Sequence, residues 1–278
     1  MRQWHQILRK VLQQGEPRND RTGTGTLAVF GEMLEFDNSE AFPAVTTKRL
    51  AFKQVAAELA CFIQGYSSLD DFHKMGCTIW DANALAPGWV NKTDLFPGDL
   101  GRIYGVQWRE WTALDECGEA AEIDQLKNLV NGLMEQPTSR RHVVTAYNPG
   151  EIDQVCLPPC HTMFQCYVSN DGRLDLSVTM RSVDLFLGLP FDVASYAILQ
   201  RLLALKTGYK SGRLTFFLGD AHIYKNHLEQ VEEVLSRVPF EAPGISFAAC
   251  TNLFVFHPDM AVLVNYHHRG AVAAPMSV

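Results

Sequence analysis

The 278-residue sequence is 47% hydrophobic and 20% charged, enough to bury a sizeable core. A formal charge of −7 argues against broad binding to nucleic-acid backbones, which takes many Lys and Arg on phosphates, yet leaves room for a mononucleotide held by a few arginines. No run approaches the roughly 20 consecutive apolar residues of a membrane span, and MRQWHQILRK lacks the apolar stretch of a signal peptide, so a cytoplasmic protein is expected. The cysteines Cys61, Cys77, Cys117, Cys156, Cys160, Cys166 and Cys250 are odd in number and not densely spaced, which favours reduced thiols over a disulfide framework.

Trp4, Ile7, Leu8, Val11 and Leu12 keep the spacing of one helical stripe that ends near Gly15. Turn formers in RNDRTGTGT put Arg21 on a loop, and LAVFGEMLEF after it reads as a strand. Val55, Ala56, Leu59, Phe62 and Ile63 mark a second helix from Phe52, with Gly65 as its stop. Glu58 stands among these apolar neighbours, either on a polar edge or as a buried carboxyl. The stretch from Ala86 to Gly101 has the proline, glycine and polar content of a surface loop, residues 122–135 resume helical spacing, and RRHVVTAYNP reads as a strand opened by paired arginines. HTMFQCYVS and RLDLSVTM around NDG predict a hairpin, with Cys160 just before it. The segment from Val193 to Leu205 reads as a buried helix, RLTFFLGD as a strand, and IYKNHLEQVEEVL as an amphipathic helix. Strands and helices interspersed without repeat or linker predict a single α+β domain over residues 1–278.

In CLPPCHTMF a cysteine and a histidine stand side by side where two prolines stiffen the approach to a strand. A thiolate at Cys160 would be nucleophilic if a bound anion or a nearby arginine supported it; the alternative is a buried structural thiol. A zinc site is not expected, because Cys156, Cys160 and His161 are bunched and no second ligand cluster completes a tetrahedron. Arg140 and Arg141 on a strand would face opposite sides, which points to a bend or an interface. With Arg21 and Arg181 they supply four guanidiniums suited to gripping phosphate oxygens in pairs.

RTGTGT, TTKR, TIWDAN, IYGVQWR, SRRHVV, PPCH, MRSVDLFLGLPFDVASYA and GDAHIYKNH occur in an order that resembles the thymidylate synthases over nearly the whole chain. The resemblance implies an α+β fold whose bent β-sheet forms a homodimer interface with flanking helices. It implies Cys160 as nucleophile, Arg21 and Arg181 as phosphate ligands, and Arg140 and Arg141 as those reaching the partner's site. Ser182 resembles a phosphate or ribose neighbour, Asp184 another substrate neighbour, and His222 and Tyr224 the pair holding the sugar 3′-hydroxyl. Glu58, Tyr104 and His161 resemble a polar network that handles protons near the base. Lys48, Ile79, Trp80, Leu157, Asp184, Gly188 and Phe191 resemble the set that binds 5,10-methylenetetrahydrofolate, and APMSV a closing tail.

One departure bears on the substrate: Asp192 stands where the resemblance expects asparagine. An asparagine amide accepts from uracil N3–H and donates to O4. A carboxyl accepts from cytosine N4–H while a shared proton bridges its second oxygen to N3, whereas an ionised carboxylate sets oxygen against uracil O4. The expected substrate is therefore dCMP, as in the related deoxycytidylate hydroxymethylases, with uracil still readable through a protonated carboxyl. Met180, where the synthases usually carry glutamine, agrees weakly with this. The resemblance leaves two products open. Water addition gives 5-hydroxymethyl-dCMP, the expected outcome, and hydride transfer gives 5-methyl-dCMP with dihydrofolate. Further alternatives are dUMP methylation and a regulatory RNA-binding relative without turnover. A modified-nucleotide pathway, as in a virus acting in its host's cytoplasm, is the natural setting for a dCMP enzyme.

Overall fold

A computed structural model of the chain describes residues 1–91, 96–248 and 252–276. Helix α1 (Arg2–Gln14) buries Trp4, Ile7, Leu8 and Val11, the stripe read from spacing. Trp4 Nε1 donates to Leu185 O at 2.6 Å, tying this helix to a segment 181 residues away. A short edge strand, β1 (Glu16–Arg18), unmarked by any periodicity, pairs antiparallel with β2 (Thr26–Asp37). Helix α2 (Phe52–Gln64) stops at Gly65, whose φ of 78° lies in the left-handed region that glycine takes without strain. Four short helices follow, α3 (Leu69–Lys74), α4 (Asp81–Ala84), α5 (Pro87–Val90) and α6 (Tyr104–Arg109). The expected loop at Ala86–Gly101 thus contains a helical turn, anchored where Trp89 Nε1 donates to Asp99 O at 2.8 Å. Residues 92–95 of that loop lie outside the described residues.

Strands β3 (Trp111–Leu114) and β4 (Ala120–Ile123) form a separate hairpin. Helix α7 (Gln125–Glu135) therefore begins later than the spacing over 122–135 suggests: Glu122 and Ile123 are paired in β4, and the Asp124 side chain caps the helix by accepting from Lys127 N at 2.9 Å. The strand expected over RRHVVTAYNP shrinks to β5 (Val143–Thr145). Arg140 and Arg141 precede it outside any strand, so the alternation argument for opposite faces does not apply to them.

The hairpin around NDG is present as β6 (His161–Val168) and β7 (Arg173–Asp184). Helix α8 (Gly188–Thr207), buried around most of its circumference, then carries the chain over to β8 (Lys210–Tyr224). A crossover of that length allows β8 to run parallel to β7, which a tight turn could not. Ile223 and Tyr224 belong to β8 because Leu27 and Thr26 of β2 pair with them, so helix α9 (Leu228–Ser236) starts five residues after IYKNHLEQVEEVL begins. A last hairpin joins β9 (Gly244–Phe247) to β10 (Ala261–Val264).

The main sheet is mixed, in the order β1-β2-β8-β7-β6-β5, and with the helices packed on it the fold is of the α+β class. Helix α8 packs on β7 and β8 and against α2, and the core lies between them. Across the sheet, Phe30, Met33 and Phe217 stay exposed at 80, 60 and 45%. Register slips between His161 and Met163, and Gly31 takes a φ of 84° within β2, irregularities of the kind that bend strands beside a site. Among the described residues no helix is long and apolar enough to cross a membrane.

Candidate active site

Cys160 ends the stiff Pro158–Pro159 approach, directly before β6. The Arg181 guanidinium clamps that approach, donating from Nε to Pro159 O at 2.8 Å and from Nη2 to Pro158 O at 2.7 Å. This leaves Arg181 Nη2 3.8 Å from Cys160 Sγ, while Arg181 N donates to Cys160 O at 2.8 Å. Burial pushes the Cys160 thiol above its ordinary range; Arg181 opposes this, Asp192 adds to it, and Arg21 opposes it. The arginines are thus in place, but burial outweighs them and the sulfur stays protonated in the free chain. Cys77, Cys156 and Cys166 are pushed up to about 12, with no arginine pulling back on any of them.

Behind the sulfur lies a buried polar cluster drawn from α2, α4's approach, α6, β6 and α8. Tyr104 OH accepts from Cys160 N at 2.7 Å, and its ring stacks on His161 at 3.8 Å with planes 10° apart. Burial pushes His161 down to about 3, so the imidazole is neutral at any physiological pH. Glu58 is buried, not on a polar edge: its Oε1 accepts from Trp80 Nε1 at 2.8 Å, and burial pushes the carboxyl up to about 7. Asp192, the fifth residue of α8, is held well above the carboxylate range by burial, then by the fields of Glu58 and Asp184. Its side chain therefore presents one O–H donor and one C=O acceptor. Met180 is buried in β7, opposite His161.

Around this cluster the remaining residues form a rim. Asp20 shapes the loop carrying Arg21, accepting from Gly25 N at 2.7 Å and Thr22 N at 3.0 Å. Burial pushes the Tyr224 hydroxyl up, the fields of Asp184 and Asp20 add to this, and Arg21 opposes it. The neighbour of Tyr224, His222, is oriented by Asp220, with Nδ1 2.9 Å from Asp220 Oδ1, and Ser182 pairs with Asp220 across β7 and β8. Asp184 accepts from Phe186 N at 2.8 Å and Leu187 N at 3.1 Å, leading the chain into α8. Gly188 separates two carboxyls: a Cβ there would lie 3.6 Å from Asp184 Cβ and 3.7 Å from Asp192 Oδ2. The Lys48 ammonium is buried, donating to Phe186 O and lying 4.0 Å from the centre of the Phe186 ring. Burial pushes it down to about 8 against the pull of Asp184. Ile79, Leu157 and Phe191 are partly buried against the core, and Trp80 is buried.

Two expected residues do not join this group within one chain. Arg140 and Arg141 are exposed, and neither guanidinium makes an ion pair or hydrogen bond among the described residues. Conversely, Tyr196, Asp220 and Asp20 orient site residues yet were not singled out by sequence. Tyr196 had one available signal, its place four residues after Asp192 on the same helical face.

The family model described as "Thymidylate synthase" matches residues 2–278 of this chain. A protein of Escherichia phage T5 described as "Probable thymidylate synthase" is 44% identical, over 97% of this chain and 95% of its own length.

Proposed function

The chain belongs to the thymidylate synthase family, and from that premise we propose that it transfers a one-carbon unit to C5 of dCMP and releases 5-hydroxymethyl-dCMP. Members of the family are one-carbon transferases that use a nucleoside monophosphate and 5,10-methylenetetrahydrofolate and typically form homodimers. We assign the activity to residues 1–278 as one catalytic domain, working in the cytoplasm of a host as the phage relative suggests.

The feature that carries the choice of base is the Asp192 carboxyl, whose proton affinity is raised well above the carboxylate range by desolvation and then by the fields of Glu58 and Asp184. A neutral carboxyl mates with either pyrimidine, since its two oxygens can exchange roles. Cytosine alone has a ring nitrogen basic enough to take the proton. The pair then becomes a carboxylate facing N3–H and N4–H, two charge-assisted bonds about twice as strong as neutral ones. Uracil O4 offers no comparable base.

In this reading the Cys160 sulfur bonds to C6 as its proton passes to water, the C5=C6 pair moves toward C4, and the C4=N3 pair moves onto N3, which already holds the proton taken from Asp192. C5 becomes nucleophilic. Bound 5,10-methylenetetrahydrofolate supplies the electrophilic carbon. Glu58, near 7, exchanges protons at working pH, and Trp80 keeps it oriented. Loss of the C5 proton and departure of tetrahydrofolate leave a methylene on C5; water adds to that carbon as the C5=C6 bond re-forms and sulfur leaves C6, which restores the ring and gives the hydroxymethyl group. The apolar surfaces of Ile79, Trp80, Leu157 and Phe191 beside Gly188, with the buried Lys48 ammonium, fit a flat heteroaromatic ring bearing an anionic end. Arg21 and Arg181 grip the phosphate, with Ser182 beside it, and His222 and Tyr224 hold the sugar hydroxyl. Exposed Arg140 and Arg141, and the uncovered Phe30, Met33 and Phe217, support a partner copy on the sheet that completes the phosphate site.

The hydroxymethyl product follows the association of this aspartate with hydroxymethylation among related enzymes. Methylation of dUMP is the second reading, favoured by the description of the phage relative and by the rotated neutral carboxyl. The test is incubation with dCMP or dUMP and the folate, with product mass and dihydrofolate absorbance followed. Clear preference for dUMP overturns the substrate, and rising absorbance with a methylated product overturns hydroxymethylation.

A further inference from the structure

We propose that Tyr196 is a positioning residue that holds the His161 imidazole in the tautomer with hydrogen on Nε2, so that the site receives a fixed donor from that ring. This rests on His161 belonging to the reactive site described above.

The geometry is that of a phenol with one outlet. Tyr196 is 3% exposed, and its OH lies 2.7 Å from His161 Nδ1. Among the described residues this is the only hydrogen bond its hydroxyl makes. A buried O–H with nowhere to donate costs about 1–3 kcal/mol, so the phenol spends its hydrogen on Nδ1. A nitrogen that accepts carries no hydrogen, and the neutral ring must place its single hydrogen on Nε2. The alternative, a ring protonated on both nitrogens, is opposed by the burial that pushes His161 down to about 3. Loss of the phenol proton is opposed by burial and then by Asp192 and Glu58.

Position is fixed along with tautomer. His161 is stacked on Tyr104 at 3.8 Å, and Tyr196 meets it edge-on at 5.3 Å with planes 90° apart. Tyr104 in turn accepts the amide hydrogen of Cys160 at 2.7 Å. One turn of α8 therefore carries both the base-reading carboxyl of Asp192 and the phenol that sets the proton on the ring of the residue after the nucleophile. His161 Nε2 has no protein partner among the described residues. It is left to donate to a water or to an acceptor on the ligand, such as a pyrimidine oxygen.

The test is nitrogen NMR on ligand-free, 15N-labelled protein, joined to kinetics of Tyr196→Phe. In the wild type, His161 should show a protonated Nε2 and an accepting Nδ1, unchanged from pH 5 to 9, values chosen well above the group's titration near 3. Tyr196→Phe should move the Nδ1 shift and populate the second tautomer. Its kcat should fall about tenfold, one hydrogen bond's worth, while the nucleotide KM stays within about threefold. Hydrogen on Nδ1 in the wild type, or unchanged His161 nitrogen shifts in Tyr196→Phe, would overturn the proposal. The wild-type spectrum decides even if the variant fails to fold. It reads the free protein, so its outcome is independent of which pyrimidine is turned over.

Discussion

Trp80 Nε1 donates to Glu58 Oε1 at 2.8 Å, and among the described residues no other hydrogen bond reaches that carboxyl. Burial pushes Glu58 from 4.5 up to about 7, and the indole pulls modestly the other way by favouring the ionised form. Glu58 thus has an anchor for its orientation and an environment for its proton.

The consequence for stability has a definite sign. Below pH 4.5, the group's ordinary value, folded and unfolded chains both hold the Glu58 proton and the site costs nothing electrostatically. As pH rises, the unfolded chain ionises first, and the folded state loses stability until about pH 7, where the folded group also ionises. Glu58→Gln keeps an acceptor for Trp80 and removes this penalty. It should be more stable than the wild type by up to about 3 kcal/mol at alkaline pH, with no difference below pH 4.5. Denaturant unfolding across pH measures this. Turnover should fall by about 10²-fold or more for want of the proton carrier.

Asp192→Asn removes the proton that cytosine N3 is proposed to take. It leaves an amide able to accept from uracil N3–H and donate to O4. The ratio of dCMP to dUMP turnover in competing mixtures should drop by at least about 10²-fold, the scale of hydrogen-bond readout in a buried site. An unchanged ratio would mean that position 192 does not read the base.

Gly219 lies in β8 between Leu218 and Asp220, which pair with Met180 and Ser182 on either side of Arg181. A Cβ there would sit 2.7 Å from Arg181 O and 3.1 Å from Met180 O, so β7 and β8 would have to separate. Gly219→Ala should cost about 1–3 kcal/mol in thermal or denaturant unfolding. It should also raise the nucleotide KM, because Arg181 N is bonded to Cys160 O at 2.8 Å and the shift reaches the sulfur. Gly150→Ala, whose nearest neighbour would be Asn148 Oδ1 at 3.5 Å, serves as the unperturbed control.

Local periodicity carried much of the architecture. The Trp4–Val11 stripe, the apolar run ending at Gly65 and the hairpin around NDG each depend on neighbours a few residues apart, and each is found in place. Periodicity misled where a distant strand claimed the residues: Glu122 and Ile123 went to a hairpin, and Ile223 and Tyr224 to pairing with β2. The odd charge of Glu58 in an apolar face was visible, but its burial and its raised proton affinity were not.

From the chain of letters alone came the candidate thiol beside a histidine, the four arginines, the asparagine replaced by Asp192, and the family to which these motifs belong. Those are matters of chemical identity and local order. Only the tertiary structure decided that the proton affinity of Asp192 is raised, that burial overrides the arginines at Cys160, and that Tyr196 meets His161. Proton affinity depends on the solvent and charge that surround a group, and those are assembled from α2, α8 and the strands between, segments more than a hundred residues apart.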